Sequence, residues 1–124
     1  MKKPSRILVV DDTADIRALC EHILKGAGYE VQSAMNGRQA VEMLKDYPAD
    51  LIMMDIMMPS MDGLTACEAI RSDPATRNIP VVFMSAVSNL QTLAPRVIRL
   101  ATAVVAKPFD MDVLLDTVKR LAPP

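Results

Sequence analysis

The chain is 124 residues long, 51% hydrophobic and 23% charged, with a formal net charge of −1. That length holds one domain with a real core and not two. The near-neutral balance argues against a dedicated nucleic-acid binder, which carries a basic excess or stripe. The two cysteines, Cys20 and Cys67, lie far apart with no CxxC or Cys/His spacing, so neither a zinc site nor a disulfide framework is indicated.

In chain order, the first apolar run is "ILVV" (7–10), which meets Asp11 after four residues. It is too short for a signal peptide or a membrane span, so a cytoplasmic protein without membrane association is expected. Ile16, Leu19, Cys20, Ile23 and Leu24 recur at the spacing of one helix face, which Gly26 and Gly28 close. His22 falls on the polar side of that helix and reads as solvated, as do Arg17, Glu21 and Lys25. The run "VQSA" (31–34) is weaker and more polar, as an edge strand would be. Asn36-Gly37 follows it, and then Ala40, Val41 and Leu44 form a short stripe closed by Pro48.

"LIMM" (51–54) runs into Asp55, and Leu64, Cys67 and Ile70 mark a third helix ending near Pro74. "VVFM" (81–84) runs into Ser85. Leu90, Leu93, Ala94, Val97 and Ile98 form a further stripe, in which Pro95 should break the helix or start it late. "TAVVA" (102–106) runs into Lys107. Asp110 is placed to cap a last helix with Met111, Leu114, Leu115 and Val118 on one side. No repeat or linker is visible and nothing further is expected past "LAPP", so 1–124 reads as a single domain.

Strand and helix alternate five times. This predicts an α/β, doubly wound (βα)5 flavodoxin-like sandwich, with a five-stranded parallel sheet of order 2-1-3-4-5 and helices on both faces. Four of the five runs are continuous rather than alternating, which suits strands covered on both sides.

Ligands bind beyond the carboxyl ends of such strands. The residues that follow the runs are Asp11 and Asp12, Asn36-Gly37, Asp55, Ser85 and Lys107. In the 2-1-3-4-5 order, three carboxylates, a hydroxyl and an ammonium converge on one crevice. Singly, each has a plain reading: Asp12 as a helix cap, Ser85 as a loop hydroxyl, Lys107 as a solvated amine. Together, three carboxylates so close cannot all ionise cheaply without a cation, and one lysine does not balance them. Carboxylates with a carbonyl and waters suit Mg2+. A thioether Cu(I) site in this Met-rich stretch is the alternative, but Met53 and Met54 should point to opposite faces, and Met57, Met58 and Met61 flank a proline in a turn.

With Mg2+, a dry carboxylate, a hydroxyl and a lysine, phosphoryl transfer fits each part, Asp55 being the nucleophile that forms an acyl phosphate. No GxxxxGK[ST] is present, which argues against a nucleotide phosphate cradle.

The combination of "VVDD" (9–12), "MMDIMMPSMDG" (53–63), "MSA" (84–86) and "KPF" (107–109) resembles the receiver domain of two-component response regulators, the single-domain chemotaxis regulators included, over essentially the whole chain. The resemblance implies that Asp55 is the phosphoacceptor, taking a phosphoryl group from a histidine of a sensor histidine kinase or histidine phosphotransfer protein. It implies that Asp12 and Asp55 bind Mg2+ directly with the backbone carbonyl of Met57, and that Asp11 acts through water. Ser85 and Lys107 would bind the phosphoryl oxygens, and the Lys107–Pro108 bond would be cis. Gly63 would meet a backbone need at the turn into the third helix. Three positions depart from the family pattern: Val104 replaces an aromatic, Leu100-Ala101 replaces Gly-Ala, and Pro95 interrupts its stripe.

The leading expectation is a stand-alone receiver, a monomer or weak dimer, that signals by phosphorylation-dependent binding to a downstream protein. It would not be an enzyme beyond phosphorylating itself from phosphodonors and slowly losing that phosphate. Three alternatives stand beside it: a receiver cut from a larger hybrid kinase or regulator, a phosphorylation-insensitive scaffold, and a Mg2+-dependent aspartyl phosphohydrolase. The last would want a second acid two residues past the nucleophile, where Met57 cannot serve.

Overall fold

The computed structural model describes residues 3–58, 62–86, 95, 97, 99–107 and 110–124. The elements run β1 (Arg6–Val10), α1 (Ala14–Gly26), β2 (Glu30–Ala34), α2 (Gly37–Met43), β3 (Leu51–Asp55), α3 (Gly63–Ser72), β4 (Val81–Ala86), β5 (Ala103–Lys107) and α4 (Met111–Leu121). The strands form one parallel sheet, as the alternation predicts, in the expected order β2-β1-β3-β4-β5 of the flavodoxin-like fold.

Period-two alternation splits the buried strand residues between two cores. Leu8, Val10, Ile52, Met54, Val81 and Phe83 face α2 and α3, meeting Ala40, Leu64, Cys67 and Ile70. Ile7, Val9, Leu51, Met53, Val82 and Met84 face α1 and α4, meeting Cys20, Leu24, Leu114 and Val118. The large aliphatic side chains in these layers are fully buried, each worth about 1.5–3 kcal/mol relative to exposure. The two cysteines are free, buried and in opposite cores.

Local chemistry sets the helix ends. Asn36, Asp62 and Asp110 cap α2, α3 and α4, accepting at Oδ1 from the N–H groups of Gln39, Thr65 and Asp112 at 2.8, 2.8 and 2.9 Å. α1 ends at Gly26, and Gly28 takes the positive φ of 98° that turns the chain into β2. No helix among the described residues is long and apolar enough to cross a membrane.

Two expectations need correction. β5 is half-buried rather than covered on both faces, because it is the far edge of the sheet; Val104 there is 36% exposed. Leu19 and Met111, assigned to buried stripes, are 45% and 54% exposed. They line an open groove between α1 and α4 with His22, Ile23, Leu115 and Lys119. Pro95, Val97, Arg99 and Leu100 are helical. The rest of that stripe, Leu90, Leu93, Ala94 and Ile98, lies outside the described residues.

Leu100 is buried against the α2–α3 core, and its carbonyl accepts from Arg71 Nη2 at 3.2 Å. Arg71 also donates through Nη1 to the carbonyls of Arg77 and Ile79, so one guanidinium ties the end of α3 to the entries of β4 and β5.

Candidate phosphoacceptor and cation site

Strand register delivers the polar residues to one end of the sheet. Val10 pairs with Met54 and Asp55 with Met84, so Asp11 and Asp12 leave β1 beside the end of β3. Ser85 and Lys107 follow one strand further along, with Ser85 opposite Ala106 and Ala86 opposite Lys107. Carboxylate oxygens of Asp11, Asp12 and Asp55 lie within 4.8 Å of one another.

Asp11 is fully buried and tied at both oxygens. Oδ1 accepts from the Thr13 N–H at 2.9 Å, and Oδ2 takes the Lys107 ammonium at 2.7 Å. The same ammonium lies 3.2 Å from Asp55 Oδ2, while Asp55 Oδ1 accepts from the Met57 N–H at 3.3 Å. Asp55 and Ser85 are buried, whereas Asp12 is exposed beside them. Lys107 therefore bridges two carboxylates directly, a pairing that spacing alone does not reveal. Asn36 caps α2 instead of joining the cluster.

Burial sets the titration. It raises the Asp55 pKa, Lys107 opposes that rise, and the Asp11 charge adds to it, so the net shift is upward. For Lys107, burial favours the neutral amine, but the hydrogen bond to Asp11 and the two carboxylate charges outweigh it and the pKa rises.

Gly63 seats the loop after Asp55. Its N–H donates to the Ile56 carbonyl at 2.9 Å, and a Cβ there would sit inside contact distance of the Asp55 carbonyl oxygen and 3.0 Å from Ile56 Cα. The backbone need is one of close approach rather than of positive φ. The cis Lys107–Pro108 bond involves Pro108, and the copper alternative Met61; both residues lie outside the described set. Met53 and Met54 do point into opposite cores, and Met57 is 57% exposed, so these sulfurs do not converge.

Arg17, read as solvated, is half-buried and donates from Nη1 to the main-chain oxygen of Asp11 at 2.7 Å. The signal was its place one turn into the helix that follows the two aspartates; its membership of a polar helix face hid it.

Three hard carboxylates with one ammonium between them fit a divalent cation such as Mg2+, since the site carries more negative charge than Lys107 neutralises. The sequence model of the response regulator receiver domain matches residues 7–119. The chain belongs to the response regulator receiver domain family.

It is 38% identical over 116 residues to the chemotaxis protein CheY of Bacillus subtilis, covering 93% of this chain and 95% of CheY. It is 36% identical over 116 residues to the transcriptional regulator RpaA of Synechocystis sp., covering 94% of this chain and 48% of RpaA. The chain thus spans about half the length of that relative. Among solved structures it is similar to the receiver domain of the sensor histidine kinase PA1611 from Pseudomonas aeruginosa, which holds a magnesium ion in its active-site cleft. That match has a TM-score of 0.87 and 28% identity, covering 95% of this chain and 97% of the other. Receiver domains are in general non-enzymatic signalling domains that bind Mg2+ at an acidic pocket, and this chain has a cluster of Asp11, Asp12 and Asp55.

Proposed function

We propose that Asp55 is the phosphoacceptor of this receiver and that its donor is a phosphohistidine on a sensor kinase or histidine phosphotransfer protein. The observation that carries the reading is the Lys107 ammonium, 2.7 Å from Asp11 and 3.2 Å from Asp55, beside the clustered Asp12. An Asp55 carboxylate oxygen attacks phosphorus in line as the P–N bond to the donor histidine breaks; the histidine keeps the bonding pair and takes up a proton. The product is an acyl phosphate on Asp55.

Asp11, Asp12 and Asp55, with the Met57 carbonyl, would hold Mg2+, which when bound supplies positive charge to the phosphoryl oxygens. Lys107 exchanges its bond to Asp55 for one to a phosphoryl oxygen while keeping Asp11. The Ser85 hydroxyl, next to the residue paired with Asp55, donates to another. The exposed Met57 side chain offers no acid or base to activate water, which fits slow loss of the phosphate instead of turnover. Self-phosphorylation from a small acyl phosphate and phosphorylation-dependent binding of a protein target belong to the same reading.

A second reading, a receiver segment of a longer regulator or hybrid kinase, is favoured by the partial coverage of RpaA and by the PA1611 receiver. The test common to both is intact-mass spectrometry after incubation with an acyl phosphate and Mg2+. One added phosphoryl group in the wild type and none in Asp55→Asn is expected; equal labelling of both would remove Asp55 from the role.

A further inference from the structure

Arg17 touches none of the reacting groups, yet its Nη1 donates to the main-chain oxygen of Asp11 at 2.7 Å. That oxygen belongs to the planar peptide unit joining Asp11 to Asp12, which carries the carbonyl of the first residue and the N–H of the second. The carbonyl needs a side-chain donor because of where it lies. The Asp11 N–H makes the last bond toward β2, to the Ala34 carbonyl at 3.2 Å, and α1 begins only at Ala14. The Asp11 oxygen is therefore past the sheet ladder and ahead of the helix, where a backbone acceptor has no regular partner. A guanidinium supplies a charge-assisted bond there. The other polar groups of Asp11 are held by Ala34, Thr13 and Lys107, whereas Asp12 is exposed and hangs from the plane that Arg17 grips.

We propose that Arg17 is a positioning residue for the cation site: by holding the Asp11–Asp12 peptide plane it aims the Asp12 carboxylate into the cluster with Asp11 and Asp55. The inference rests on the reading of that cluster as a cation site. Two effects of the guanidinium oppose each other. Its charge, held on the peptide that joins Asp11 to Asp12, repels a cation, so a residue acting by charge alone would weaken metal binding and its removal would tighten it. Its hydrogen bond orders Asp12, so its removal loosens binding. The direction of the change separates the two.

The experiment is a Mg2+ titration of the full chain by calorimetry and by amide NMR, for wild type, Arg17→Ala and Arg17→Lys, at a temperature where melts show all three folded. Arg17→Ala is expected to bind Mg2+ roughly tenfold more weakly. Its Asp12 amide, the N–H of the gripped plane, should shift and broaden even without metal. Arg17→Lys, which keeps a charged donor, should recover part of the affinity. Unchanged or tighter Mg2+ binding by Arg17→Ala overturns the proposal. A flat titration of the wild type overturns the cation-site reading itself, and is told apart because it does not depend on the variant.

Discussion

The Nζ of Lys107 lies 3.2 Å from Oδ2 of Asp55, joining the last residue of β5 to the last residue of β3 across β4. The same ammonium is the charge partner of Asp11, which has no exposure to water. Removing one member of a buried pair strands the other. Lys107→Met should therefore destabilise the fold by about 3 kcal/mol at neutral pH, read from urea melts without divalent ions. Added Mg2+ should restore more stability to the variant than it adds to wild type, because the ion takes over the lost positive charge. A loss below about 0.5 kcal/mol, the usual range for a surface substitution, would mean that the pair does not form.

Asp55 predicts an opposite effect. Its folded pKa is raised, by burial first, with Lys107 opposing and Asp11 adding. A carboxyl with a raised folded pKa binds its proton more tightly in the folded state, so stability falls as pH rises through the carboxylate range and stays lower at neutrality. Asp55→Asn removes the ionisation. It should melt higher than wild type at pH 7 without divalent ions, and the gap should close as pH falls toward the unfolded-state value. A lower melting temperature for the variant at pH 7 would contradict the assigned sign.

On the alkaline side, burial pushes the Cys20 thiol from 9.0 up to about 11, with the Asp11 charge raising it further and Lys107 opposing. Between those values the unfolded chain loses the proton and the folded chain keeps it, so stability declines as pH rises. Lys107, also raised, contributes stability that is complete below its ordinary 10.5 and is lost as pH climbs through its folded value. Denaturation midpoints should fall from pH 9 upward, and Cys20→Ala should flatten the part of the slope that begins nearest pH 9. An identical slope in wild type and Cys20→Ala would show that the thiol is not protected by burial.

Gly63→Ala tests the seat of the loop after Asp55. Its Cβ would press on the Asp55 carbonyl, which is backbone within the central sheet and has little room to yield. A loss of roughly 2–3 kcal/mol is expected, together with slower phosphorylation from an acyl phosphate because the strand end moves. Melting and labelling rates equal to wild type would show that the loop gives way freely.

Much of this was legible in the sequence, for a physical reason. Continuous apolar runs, caps such as Asp110, and the polar residue ending each run mark the strands and their ends, and with the 2-1-3-4-5 order common to such folds they bring Asp11, Asp12, Asp55, Ser85 and Lys107 to one edge. What stayed hidden depends on neighbours that periodicity does not specify. A helical stripe says which face turns inward but not how far the next helix covers it, so Leu19 and Met111 were assigned to cores they only border. The run at β5 resembles a central strand, and only its place at the edge leaves Val104 partly exposed. The grip of Arg17 on the Asp11 carbonyl and the double pairing of Lys107 join polar groups across elements, where residue spacing has no say.

The most direct test of the central claim is chemical trapping. Protein incubated with an acyl phosphate and Mg2+ is treated with borohydride, which reduces an aspartyl phosphate to homoserine, and peptide mass spectrometry then locates the change. Asp55 as phosphoacceptor predicts homoserine at position 55, dependent on Mg2+ and abolished in Asp55→Asn. Homoserine at Asp11 or Asp12, or phosphate that resists borohydride because it sits on Ser85 or His22, would contradict it.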